Sequence, residues 1–102
     1  MDNNYEYIYT ESGEKISGLL LIKPNIFYDE RGFFLESWNK KIFQKILANE
    51  NQEFFELVQE NHSKSKKGVL RGLHYQREPY AQAKLVRCIS GLVFDVVLDL
   101  RK

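Results

Sequence analysis

Leu92-Val93-Phe94-Asp95-Val96-Val97-Leu98-Asp99-Leu100 alternates residue by residue. Leu92, Phe94, Val96, Leu98 and Leu100 share one face, which is wholly apolar. Val93, Asp95, Val97 and Asp99 share the other, where apolar and acidic positions alternate. Successive side chains of an extended strand point to opposite faces, so this pattern predicts a β-strand with one face for a core. Such a strand belongs near the middle of a packed sheet. At an edge its unpaired backbone would invite pairing with other chains. The sequence stops two residues later, at Lys102. The expectation is that another chain covers this strand, or that these residues are the first part of a longer design.

Upstream, residues 69–76 and 84–89 read as two more strands, with Ser90-Gly91 as a tight turn before the last. Residues 54–59 also have β character, and 61–68 form a polar, basic loop. Residues 18–22 are an apolar run ended by Pro24. Tyr28-Asp29-Glu30-Arg31-Gly32 reads as a turn leading into a strand over 33–37. Residues 39–49 predict a helix, with Asn39 as N-cap and Ile42, Phe43, Ile46 and Leu47 at helical spacing. Residues 1–15 are polar with interspersed tyrosines, either a loose terminus or a strand ordered only by pairing elsewhere. Short strands, one helix and frequent turns point to a mainly β fold, an antiparallel sandwich or barrel.

The chain has 102 residues, enough for one domain. A net charge of +1 argues against a nucleic-acid partner, and the short run Lys64, Lys66, Lys67 reads as a solvated loop. A single cysteine, Cys88, excludes an internal disulfide and fits a reducing, cytoplasmic compartment. Its apolar neighbours suggest a small buried hydrophobe. No run is long and apolar enough to span a membrane, and the N-terminus lacks a signal-peptide core.

Chemistry concentrates in Leu70-Arg71-Gly72-Leu73-His74-Tyr75-Gln76. Histidine ionises nearest neutrality, and His74 lies among fixed cations, Arg71 and Lys84. A neutral imidazole there can take a proton whose departure leaves negative charge on a neighbouring oxygen, which the cations would stabilise. In a regular strand Arg71 and His74 point to opposite faces. Gly72 between them suggests a bulge that would turn both toward one pocket. Arg31 and Glu36 differ in parity in the same way, with Gly32 beside the arginine, whereas Gln59 and Asn61 share a face unaided. Taken singly, each of these residues has an ordinary structural reading: His74 as a satisfied core histidine, Lys84 as a surface charge, Phe34 as core. A metal site is not expected. A common metal-binding pattern needs two closely spaced histidines, yet two positions after His74 stands Gln76, and the one other histidine is His62.

Five stretches together resemble the dTDP-4-dehydrorhamnose 3,5-epimerase family, in order and with similar spacing. They are Asp29-Glu30-Arg31-Gly32-Phe33-Phe34-Leu35-Glu36-Ser37, Val58-Gln59-Glu60-Asn61-His62-Ser63, Gly68-Val69 with the heptapeptide above, Lys84-Leu85-Val86-Arg87, and residues 94–101. The resemblance covers roughly residues 18–102. It implies a cupin-like jelly roll that forms a dimer, uses no metal or cofactor, and inverts C3 and C5 of a 4-keto-6-deoxyhexose carried on dTDP, in deoxysugar synthesis for surface polysaccharide. By the same resemblance His74 is the proton-abstracting base. Lys84 and Arg71 are cations near the keto oxygen and the diphosphate side. Gln59, Glu60 and Asn61 are polar substrate contacts. Arg31, Phe34 and Glu36 contact the nucleotide, often across the dimer interface. The segment 1–15 is expected to be an arm exchanged between subunits. The family's tyrosine proton donor and the acid paired with its histidine would fall beyond residue 102, so the chain is expected to be an N-terminal portion, a single partial domain over 1–102. Asp95 is a candidate to orient His74 from a neighbouring strand. The alternatives are a non-catalytic sugar-nucleotide-binding cupin, and a relative acting at one carbon or as a ketoisomerase.

Overall fold

The computed structural model describes residues 4–101. The chain divides into two compact units. One comprises the chain through Phe54 together with the stretch from Leu98, and the other is Phe55–Val97.

The first unit holds all the regular structure among the described residues. Strands β1 (Tyr5–Tyr9) and β2 (Lys15–Ile22) form an antiparallel hairpin. Its tip is closed by Thr10, whose hydroxyl accepts from the Glu14 amide at 3.0 Å and whose carbonyl accepts from the Gly13 amide at 2.9 Å. The pairing is irregular. Tyr7 faces Leu20 but Tyr9 faces Lys15, so β2 carries extra residues between them. Gly18 lies in that irregularity with φ +84°, a backbone that side-chain-bearing residues rarely adopt. The polar, tyrosine-bearing N-terminal segment thus finds its partner in β2. The first three residues of the expected 1–15 arm lie outside the described residues.

Strands β3 (Ile26–Asp29) and β4 (Gly32–Leu35) form a second hairpin, with the expected turn between them. Asp29 Oδ1 accepts from the Arg31 amide at 2.8 Å, an Asx-type turn. Gly32 follows with φ +140° and pairs back with Asp29.

Helix α1 (Lys40–Asn49) starts where the sequence indicates. Asn39 Oδ1 accepts from the Ile42 amide at 3.2 Å, capping a donor that has no partner within the helix. Phe43, Ile46 and Leu47 are the buried core, one stripe at helical spacing, and Ile46 is 2% exposed. Trp38 packs its ring 4.9 Å from that of Phe43 just before the helix starts. At the other end Glu50 accepts from the hydroxyls of Tyr5 at 2.5 Å and Tyr7 at 2.9 Å, which ties β1 to the helix terminus. Arg101 donates from Nη2 to the Ser17 carbonyl at 2.6 Å and pairs with Asp99, tying the stretch from Leu98 to β2.

The second unit departs from expectation. The strands read at 54–59, 69–76, 84–89 and 92–100 join no β-ladder among the described residues. The alternating pattern is present, but a ladder also needs a partner in register, and no segment of the described chain supplies one. The apolar side chains are left outward: Leu92 is 97% exposed and Phe94 94%. Cys88 is likewise exposed rather than buried, its thiol 3.4 Å from the Ser90 carbonyl. The reason is the same, since the apolar neighbours that would cover it line no core. No helix of the described residues is long and apolar enough to cross a membrane.

Candidate active site

Three pairs of polar residues, each two positions apart and all solvent-exposed, line an open cavity in the second unit. They are Gln59 with Asn61, His74 with Gln76, and Gln82 with Lys84. In extended chain a spacing of two puts both side chains on the same side, so each short segment presents a pair rather than a single group. Tyr75 and Ala81 complete the lining of a space of ≈ 590 Å³, within the ordinary size of a small-molecule site.

Hydrogen bonds run within two of these pairs and link two of them. Gln59 Nε2 donates to Asn61 Oδ1 at 3.4 Å. Lys84 Nζ donates to Gln82 Oε1 at 3.0 Å and to Gln76 Oε1 at 3.2 Å, joining the segment after His74 to the segment around Lys84. Behind the imidazole, Gly72 takes φ +99°, and a Cβ built there would stand 3.3 Å from His74 Nδ1. Glycine therefore serves two needs at this position, a left-handed backbone and space for the ring. Among the described residues, no carboxylate forms an ion pair with Lys84. The arrangement sets a proton acceptor and an ammonium around one polar space, which suits abstraction of a proton with charge developing on oxygen.

The expected site residues fall into several groups. Gln59, Asn61, His74 and Lys84 come together at the cavity. Arg71 does not line it: despite Gly72, its Nε donates to Ser65 Oγ at 2.9 Å. Glu60 and Asp95 are exposed and also outside the lining. Arg31, Phe34 and Glu36 belong to the first unit. There Arg31 is engaged by Asp29, with Nη2 2.6 Å from Oδ2, and the arginine holds the Asp29 carboxyl below its usual range. Phe34 pairs across the hairpin with Phe27, and Glu36 follows β4. Gln76 and Gln82 are the lining residues that sequence reasoning passed over. Their signal was available: each stands two positions from a residue singled out for chemistry. Among the described residues, no cluster of three or more His, Cys, Asp or Glu side chains could hold a metal ion.

The family model described as dTDP-4-dehydrorhamnose 3,5-epimerase matches residues 13–102. The chain belongs to this family. A dTDP-4-dehydrorhamnose 3,5-epimerase of Shigella flexneri is 58% identical over 88 residues, covering 86% of this chain and 46% of that protein. One from Salmonella typhimurium is 53% identical over 87 residues, covering 85% of this chain and 45% of the relative. One from Methanothermobacter thermautotrophicus is 51% identical over 87 residues, covering 85% and 44%. The chain thus spans a little under half the length of these relatives. No solved structure gives a significant match.

Proposed function

We propose that this chain carries the proton-abstracting part of a sugar-nucleotide epimerase acting on dTDP-4-dehydro-6-deoxyglucose. The observation that carries the reading is that His74 and Lys84 open onto one cavity in a chain of this family. The hydrogens at C3 and C5 flank the C4 ketone and are acidic for that reason. His74 takes one as general base, and the electrons move onto the C4 oxygen to give an enolate. The Lys84 ammonium stabilises that oxygen. Gln59 and Asn61 offer an amide pair to sugar hydroxyls, Arg71 serves the diphosphate side, and Arg31, Phe34 and Glu36 contact the nucleotide across the dimer interface. Inversion is complete when the carbon is reprotonated from the opposite face, which needs a second proton donor.

The same reading supplies the architecture: a cupin-like jelly roll, completed in a homodimer in which strands or the 1–15 arm are exchanged. The exposed apolar row at 92–100 supports it. A monodisperse monomer at micromolar concentration, with that row shielded, would remove the support. A second reading, a sugar-nucleotide-binding cupin that does not turn over, is favoured by the solvent exposure of every residue that lines the cavity.

Incubation with dTDP-4-dehydro-6-deoxyglucose in deuterated water separates the two. We expect deuterium at C3 and C5, with His74→Asn slowing exchange by about a hundredfold or more while dTDP binding is retained. Exchange that survives His74→Asn places the base elsewhere. Nucleotide binding without any exchange favours the binding module, and label at one carbon alone identifies a single-site enzyme.

A further inference from the structure

Lys84 is held in an unusual way for a cation lining a polar cavity. Its two hydrogen-bond partners are both neutral amide oxygens, Gln76 Oε1 at 3.2 Å and Gln82 Oε1 at 3.0 Å. Both glutamines line the same cavity, and the ion pairs of Lys23, Arg31 and Arg101 lie elsewhere. An ammonium has three N–H donors. Two are occupied here, which fixes the nitrogen in place and leaves the third for an oxygen inside the cavity. The chemical type of the partners matters as much as their number. A carboxylate would also anchor the ammonium, but it would cancel the charge an oxyanion needs. An amide oxygen anchors it and leaves the net charge at +1.

We propose that Gln76 and Gln82 are positioning residues for Lys84, a pair of neutral acceptors that aim its ammonium at a developing oxyanion without neutralising it. As a statement about catalysis this rests on the epimerase reading above; as a statement about Lys84 it does not. Each glutamine stands two positions from a principal residue, Gln76 from His74 and Gln82 from Lys84. The Gln76 contact therefore also couples the placement of the ammonium to the segment bearing the base.

Two measurements on the full chain test this. The first needs no substrate: competitive acylation by acetic anhydride, comparing Lys84 with the loop residue Lys64 by mass spectrometry. A nitrogen engaged by two acceptors is less available to the reagent. Gln76→Leu and Gln82→Leu should each raise relative labelling of Lys84 by about fivefold, the scale of one ordinary, solvent-exposed hydrogen bond. The second is deuterium exchange into dTDP-4-dehydro-6-deoxyglucose with Gln82→Glu, which keeps the shape and adds a negative charge. The exchange rate at saturating substrate should fall about tenfold or more, with dTDP affinity within about twofold, because the loss is confined to the transition state. A merely structural glutamine would tolerate this isosteric change. Unchanged Lys84 labelling in both leucine variants overturns the proposal. So does a Gln82→Glu chain that exchanges as fast as the parent. If the parent chain does not exchange at all, the epimerase reading fails, and the labelling result alone decides the role of the glutamines.

Discussion

The first unit and the second have similar local sequence signals but differ in outcome. Up to Phe54 the chain forms two hairpins and a capped helix. From Phe55 to Val97 equally clear alternating runs remain without a ladder among the described residues. The difference lies in where the hydrogen-bond partners are. A helix satisfies its own backbone, and a hairpin finds its partner within a few residues. The strands read at 69–76, 84–89 and 92–100 are not brought into register with one another. Alternation specifies which face a strand would bury, whereas pairing depends on what lies beside it.

The largest expected effect follows directly. Amide hydrogen exchange should be slower in α1 and across β1–β2 than over 69–76 and 92–97, by about a hundredfold or more, because among the described residues only the former have continuous helical or ladder hydrogen bonding. Protection over 69–76 in the isolated chain would break the comparison. It would mean that these runs do find partners, within one chain or between copies. Concentration dependence of that protection would point to the exchanged-strand dimer.

Side-chain truncation draws the same contrast. Ile46 is the most deeply buried residue, and Ile46→Ala should cost about 2–4 kcal/mol in denaturant unfolding. Leu92 is almost fully exposed, so Leu92→Ala should stay within about 0.5 kcal/mol. Equal costs at the two positions would show that Leu92 is covered in solution. Next in size is the cap. Asn39→Ala removes the acceptor for the Ile42 amide and should cost about 1 kcal/mol, read as lost helicity and a lower unfolding midpoint.

What the sequence made legible follows this division. Asn39 and the Phe43, Ile46, Leu47 stripe located the helix, because capping and helical periodicity act within a few residues. The Asp29–Gly32 turn was legible for the same reason. The hairpin partner of the tyrosine segment was missed: Ser12-Gly13 marks the turn as Ser90-Gly91 does, but β2 is irregular around Gly18, so no simple register follows from it. In the site, His74, Lys84, Gln59 and Asn61 could be named from family register. Gly72 could be marked as special, but not what it accommodates. The expectation that its backbone would swing Arg71 to the same cavity as His74 depended on a regular strand on either side, and there is none. Gln76 and Gln82 escaped notice because amides carry no charge and draw attention only through the partner they hold.

The smallest effect tests whether the first unit is held by polar contacts as well as by its core. Glu50 accepts from the Tyr5 and Tyr7 hydroxyls, and these bonds lower the Glu50 pKa while raising that of Tyr5 to about 12 and that of Tyr7 in the same direction. The sign follows from linkage. A carboxylate with a lowered pKa stabilises the fold above its ordinary value and loses that contribution as pH falls through the lowered one. A phenol with a raised pKa contributes below about pH 10 and loses its share as pH climbs toward about 12. The contact is therefore complete between the carboxylate range and about pH 10 and erodes on both sides. All three groups are solvent-accessible, so the gain in stability is small. The titration itself should nevertheless be measurable. In the parent chain two of the six tyrosines should ionise late when followed by ultraviolet absorbance, and Glu50→Gln should return them toward ordinary phenol values. If all six ionise together in the parent chain, the hairpin and the helix terminus are not joined through Glu50, and the order of the first unit rests on its apolar stripe alone.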